Sequence, residues 1–242
     1  MLSTTYSIAL SGVEGSLVSV EVDVGNGLPS WDVVGLPDAV VRESKERVRT
    51  AIKNSDLSMP NKKIVVNLAP AHTRKEGATF DLAIAIGILK NVGAIQEQSL
   101  EEYVFIGELS LDGSINKVKG VLVMCMAAKA LMKKKIIVPY DNRFEAGVVK
   151  DLEIIPVKNL KEVVDLLNNK IKIEPFVSEV IDLKSAVNTK MDFSDVRGQE
   201  NVKRALEIVA AGSHNCLLIG SPRFRKNNAF PKITNHITRV NF

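Results

Sequence analysis

The sequence is poor in the residues that build special-purpose scaffolds. It holds 2 cysteines, Cys125 and Cys216, in 242 residues. They lie far apart, each in an apolar run, so no disulfide framework is available. Both thiols are expected to be reduced and buried, the usual habit of free cysteine. The 3 histidines, His72, His214 and His236, stand alone. No His/Cys/Asp spacing resembles a zinc site, so no metal is expected. Aromatics make up 5%, with Trp31 the single Trp. That argues against a binding surface built on stacked rings. No run of about 18 apolar residues occurs, so no membrane-spanning helix is expected. Met1 to Leu10 lack a basic segment followed by a long apolar one, so no secretory signal is read there. A cytoplasmic location is the expectation.

What is present is ordinary globular material: 45% hydrophobic and 25% charged residues. A core of normal size needs no staple. The formal charge of +4 is unevenly spread. Residues 223–242 hold Arg223, Arg225, Lys226, Lys232 and Arg239 and no acid. Without them the remainder carries 27 basic and 28 acidic residues, a net of −1. A basic chain would suggest nucleic acid, but the body of this one carries no such overall signal.

The hydropathy pattern predicts alternating strands and helices. Tyr6–Leu10 and Leu17–Val24 read as strands, the second with valines alternating with polar residues. Gly25-Asn26-Gly27 marks a turn, and Trp31–Val34 a short strand. A helix is predicted from Asp38 to about Asn54. Arg42–Glu46 and Glu43–Arg47 are read as i,i+4 pairs on its solvated side. Lys63–Leu68 is a buried strand, and Thr79–Lys90 a helix. Tyr103–Glu108 is a strand, Val118–Met132 a helix and Lys135–Val138 a strand. Asp141 or Asn142 caps a short helix near Phe144–Val149. Glu153–Val157 is a strand, and Asn159 caps a helix ending near Asn168. These form an α/β domain over residues 1–170. Residues 171–190 read as a linker. A further helix, Gln199–Ala211, and a buried strand, Asn215–Gly220, open a second module over 191–222. Residues 223–242 have no periodicity and cannot offset the entropy of ordering.

A buried strand ending in Gly is where a phosphate loop, G-x-x-x-x-G-K-[ST], belongs. Its glycines let backbone N–H groups wrap phosphates, its Lys reaches the outer phosphates and its hydroxyl reaches Mg²⁺. The residues here are Gly220-Ser221-Pro222-Arg223-Phe224-Arg225-Lys226-Asn227. Gly220 and Lys226 fit. Arg225 replaces the second glycine, and Asn227 replaces the hydroxyl. Suitable codons for Arg223–Ala229, read with CC placed in front, regroup to Pro-Gly-Ser-Gly-Lys-Thr-Met. One extra base near the Pro222 codon would therefore convert an intact loop into the observed tail. A frameshift at this point is the expectation.

Further motifs stand at Gly35-Leu36-Pro37-Asp38, Glu43–Arg49, Val66–Ala71 and Arg74–Leu82. On these stretches the chain resembles the ComM-type (YifB family), Mg-chelatase-like AAA+ ATPases over about residues 1–222. Phe193–Glu200 resembles the opening of an AAA+ module. The family implies a first domain like the Lon protease domain, on a ribosomal protein S5 domain 2-like fold. An incomplete AAA+ P-loop fragment would follow. It implies ATP and Mg as cofactors and hexameric rings that drive DNA branch migration in recombination and natural transformation. It does not imply a metal-chelation substrate here. By resemblance, Asp195, Val196 and Gly198 would lie near adenine, and Gly220 and Lys226 would map onto phosphate-loop positions. Walker B, the sensors and the arginine finger would follow residue 222, so no ATPase activity and no bound cofactor are expected of this chain.

Two other classes compete. A Lon-type Ser–Lys peptidase would place Thr79 at the nucleophile, but the lysine position falls on Leu122, with Lys117 and Lys119 out of register. A nucleophile without its base stays weak, and Thr79 reads more simply as a helix N-cap. A non-catalytic assembly or DNA-binding module would use the Arg42–Arg49 helix and the Arg74-Lys75 loop to grip phosphates without reading sequence.

Overall fold

The computed structural model describes residues 2–96, 99–178, 198–212, 214 and 216–217. The chain divides into two units, Met1–Val180 and Ile181–Phe242. The first is a mixed α/β unit.

Its chain opens with a long hairpin, β1 (Leu2–Ser11) and β2 (Glu14–Gly25), paired antiparallel from Leu2↔Asp23 to Ser11↔Glu14. Val18, Val20, Val22 and Val24 of β2 are buried, as their period of two requires. β3 (Ser30–Val34) leads into α1 (Ala39–Asn54), which returns to β4 (Lys63–Ala69). β3 and β4 are parallel, whereas β4 pairs antiparallel with β2. The sheet order is β1-β2-β4-β3.

A 3₁₀ turn, Ala78–Phe80, then opens α2 (Asp81–Asn91). Every residue of α2 from Asp81 to Leu89 is buried, as a helix apolar all round must be. It lies against the hairpin. Ser3 Oγ donates to Gly87 O at 2.7 Å, and Thr5 Oγ1 donates to Ala83 O at 2.9 Å. These hydroxyls satisfy themselves inside the core, where an unpaired one would cost about 1–3 kcal/mol. Gly87 permits the approach: a Cβ there would sit 2.6 Å from Val22 Cγ2.

β5 (Tyr103–Phe105), the hairpin β6 (Glu108–Leu109) and β7 (Ile115–Asn116), α3 (Val121–Ala130), β8 (Lys135–Pro139), α4 (Arg143–Ala146), β9 (Glu153–Val157) and α5 (Leu160–Leu167) complete this unit. β5, β8 and β9 form a parallel sheet in the order β5-β8-β9. Its side chains alternate between two cores. Phe105, Ile137, Ile155 and Val157 join the core with α1, α2 and α5. Val104, Ile136, Val138 and Ile154 join Ile8, α3 and α4. A parallel sheet buried on both faces needs this apolar content at every position.

Several sequence expectations need correction. The strand read as Tyr103–Glu108 is broken after Phe105. Gly107 turns away, its N–H donating to Thr79 O at 3.2 Å. The helix read from Val118 starts at Val121, because Gly120 adopts φ +77 just before it. Thr79 is not an N-cap; it sits within the 3₁₀ turn, and no side chain caps α2. Asn142 precedes α4 without capping it, its amide spent on Val118 N–H and C=O instead. Asp38 and Asn159 do cap, accepting from Val41 N–H and Glu162 N–H. The stretch read as a linker from Ile171 begins against the first unit: Phe176 N–H donates to Ile154 O and Ser178 N–H to Gly147 O.

Of the second unit, α6 (Glu200–Gly212) is described, with Leu206 buried. Cys125 is buried as expected, but Cys216 is exposed. Cys216 and Leu217 form no strand; the rest of the strand expected at 215–220 lies outside the described residues. Among the described residues, no helix is long and apolar enough to cross a membrane.

Candidate functional site

The stretches singled out in the sequence converge on one corner of the first unit. Asp38 N–H donates to Lys75 O at 3.0 Å, and Lys75 N–H donates to Leu36 O at 3.3 Å. The Asp38 carboxylate accepts from Val41 N–H at 2.7 Å and from Gly77 N–H at 3.1 Å. One side chain therefore caps α1 and also holds the Arg74–Gly77 loop. Gly35 adopts φ +97, with its α-carbon against the Leu68 carbonyl, where a Cβ has no room.

Beneath this loop lies a buried ion pair. Arg47 Nε and Nη2 donate to Asp81 Oδ2 and Oδ1 at 2.6 and 3.0 Å. Asp81 Oδ2 also accepts from Leu109 N–H at 3.3 Å, and Arg47 Nη2 donates to Val40 O. The bidentate fork ties α1, α2 and β6 together. Burial pushes the Asp81 carboxyl up to about 6, while Arg47 and the Leu109 amide pull it down. The Arg47 guanidinium is raised by its hydrogen bond to Asp81.

Lys75 is fully buried, its ammonium donating to Pro70 O. Desolvation lowers its pKa. Arg74 is exposed and pairs with Glu76 at 3.0 Å. These positions take Lys75 and Arg47 out of the phosphate-gripping reading, while Arg42 stays exposed on α1. Lys75 cannot reach solvent, Arg74 has a carboxylate, and Arg47 points to Asp81 rather than to Glu43. Neither expected i,i+4 pair on α1 forms among the described residues; Lys45 meets Glu46 at 4.0 Å instead. Asp81 was the residue whose role sequence reasoning missed. Its signal was a lone acid opening an otherwise apolar helix.

Among the described residues, no lysine hydrogen-bonds the Thr79 hydroxyl. Leu122 sits on α3, its N–H held by Glu145, and Lys117 and Lys119 are exposed. No group of three His, Cys, Asp or Glu is placed to hold a metal among the described residues. Of the nucleotide positions, Gly198 is described: it is exposed and adopts φ +70. Asp195, Val196, Gly220 and Lys226 lie outside the described residues.

Comparison with known proteins decides the family. The profile described as "Subunit ChlI of Mg-chelatase" matches residues 20–142, which include α1, β4, the Arg74–Gly77 loop and the Arg47–Asp81 pair. The chain belongs to the Mg-chelatase ChlI-subunit family. A second profile, "Magnesium chelatase, subunit ChlI", matches residues 192–236 of this ChlI-type chain. Its match runs past residue 222, where the family likeness was expected to stop. The chain is 40% identical over 237 residues to "Competence protein ComM" of Haemophilus influenzae, covering 96% of this chain and 46% of that protein. It is 40% identical over 223 residues to "Uncharacterized protein YifB" of Escherichia coli, covering 91% and 43%. It is 29% identical over 188 residues to "Lon protease 2" of Bacillus subtilis, covering 69% and 33%. The chain is thus a ComM-type, Mg-chelatase-like protein with a Lon-like relationship. It spans less than half the length of the ComM and YifB relatives.

Proposed function

We propose that this chain is part of a ComM-type AAA+ ATPase whose complete form uses ATP and Mg to drive DNA branch migration in recombination and natural transformation. The observation that carries the reading is the 40% identity to a competence protein along 96% of the chain. In this reading, residues 1–170 form a Lon-protease-like domain on the ribosomal protein S5 domain 2-like fold, and residues 191–222 begin the AAA+ module. The complete protein works in the cytoplasm as a homo-hexamer on DNA.

The chain itself does not fit ATP and Mg. In the octapeptide Gly220–Asn227, Arg225 puts a long side chain where backbone must approach phosphate, and Asn227 cannot supply the metal-facing hydroxyl. No ATPase activity is assigned to it, and a frameshift near Pro222 accounts for the mismatch. Two measurements test this. Purified chain should show no nucleotide-dependent change in fluorescence with an ATP analogue; hydrolysis at a motor-like rate would refute the reading. Resequencing across codons 215–245 should reveal AAA+ coding in a neighbouring frame; its absence would refute the frameshift and favour a separate DNA-binding or assembly module.

A further inference from the structure

The scarce aromatics are not scattered. Tyr140 follows β8, and Lys158 follows β9, at the C-terminal ends of two neighbouring parallel strands whose last pair is Pro139↔Val157. Arg143 opens α4 between two rings. Its guanidinium carbon is 3.8 Å from the Tyr140 centroid and 4.3 Å from the Phe144 centroid. Lys158 Nζ lies 4.7 Å from the Tyr140 centroid. Phe176 meets Phe144 edge-on at 5.3 Å. Phe144 is nonetheless 60% exposed, a large apolar ring left in water.

More cations converge here. Buried Asn142 clamps Val118 with both backbone hydrogen bonds, which fixes the exposed Lys117 and Lys119 on either side of it. Ile115 N–H donates to Lys158 O, joining that strand to the same corner. Among the described residues, Lys117, Lys119, Arg143 and Lys158 pair with no carboxylate. The neighbouring acids are engaged elsewhere. Glu145 accepts from Leu122 N–H and Asn142 Nδ2, Glu162 accepts from Lys158 N–H, and Glu174 pairs with Lys172. Asp141 is the exposed acid that remains beside Tyr140.

We infer that this corner of the first unit is a binding surface for single-stranded nucleic acid. Phosphates meet Arg143, Lys158, Lys117 and Lys119, and a base stacks on Phe144. Arg143 suits the first task because two rings and its own bond to Tyr140 O at 2.8 Å hold it in place while donors remain free. Phe144 suits the second because every base has a π-face, so such stacking tolerates any sequence. An acidic peptide would use the cations and leave the ring without a purpose. The inference deepens the DNA reading above by naming a contact outside the nucleotide site, and its test separates the two.

The test uses the full chain and a fluorescein-labelled oligo-dT of about 16 nucleotides, at the upper end of single-strand site sizes. Anisotropy titrations over a salt series should give a slope of log affinity against log salt near about −3, for four phosphate contacts. R143Q/K158Q should make that slope shallower by about 1.4. Phe144→Ala should weaken binding about tenfold, and Phe144→Trp should preserve it. Asp141→Asn should tighten binding. Photocrosslinking with a 5-bromouracil oligonucleotide should label Tyr140 or Phe144, and should still do so when the five basic residues of 223–242 are changed to Gln. Crosslinks confined to 223–242 or to α1, with the patch variants binding as wild type, would overturn this surface and leave the DNA reading standing. Absence of any binding at about 20 mM salt, where phosphate contacts are strongest, would overturn this surface as well. Equal affinity for duplex, unmoved by Phe144→Ala, would overturn the single-strand assignment.

Discussion

Two cationic regions of the first unit hold their charges in opposite ways. At the Asp38–Asp81 corner, Arg47 is forked onto Asp81, Arg74 meets Glu76 and Lys75 is sealed under its loop. At the Tyr140 corner, Arg143 and Lys158 lie over aromatic rings with no carboxylate partner among the described residues. The first arrangement spends charge on holding elements together. The second keeps charge available to solvent and pre-positions it. The family stretches that drew attention in the sequence therefore mark a structural lock, while the open surface lies in residues without a recognisable pattern.

The lock should fail most severely when one partner is removed. Arg47→Met leaves a buried carboxylate uncompensated and should cost about 3–5 kcal/mol in urea unfolding at neutral pH. Adding Asp81→Asn should recover part of that loss, since the two residues are coupled.

The pH dependence follows from the same carboxyl. Asp81 is raised from 3.8 to about 6 in the fold. Between those values the folded chain keeps a proton that the unfolded chain has released. The contribution of Asp81 is therefore greatest in acid and is lost as pH rises through about 6, by up to about 3 kcal/mol. Asp81→Asn cannot titrate, so the stability difference between it and wild type should shift across this window. A pH-independent difference would contradict the burial argument.

Smaller effects grade the rest of the lock. Gly35→Ala meets both a positive φ and the Leu68 carbonyl, and should cost about 2 kcal/mol in a thermal melt. Asp38→Ala removes a helix cap and the hold on Gly77 N–H, for about 1 kcal/mol. At the other corner, R143Q/K158Q should change stability by about 1 kcal/mol or less, because Lys158 is exposed and Arg143 holds ring faces and one carbonyl rather than a buried charge.

The sequence was most legible where structure is local. The alternating valines of β2, the amphipathic α1 and the Asn159 cap all follow from near neighbours. What stayed hidden depends on distant partners. Arg47 has Glu43 one turn away, yet the fold brings Asp81 from 34 residues along the chain and offers a bidentate contact to a buried carboxylate. The strand through Phe105 reads as continuous, but Gly107 is claimed by Thr79 O. Lys75 reads as a surface cation, and only the closed loop Leu36–Gly77 shows why it is not one. The aromatic corner was missed for a related reason: overall scarcity says nothing of Tyr140, Phe144 and Phe176 meeting in space.

The most direct measurement compares two pairs of equal charge change in the same chain. R42Q/R49Q neutralises two cations of the α1 helix, and R143Q/K158Q neutralises two at the Tyr140 corner. Oligo-dT affinity at one low salt concentration should be nearly unchanged by the first pair and should fall about tenfold or more with the second. Equal losses from both pairs would mean that net charge alone governs binding and would contradict the division of labour between the two corners.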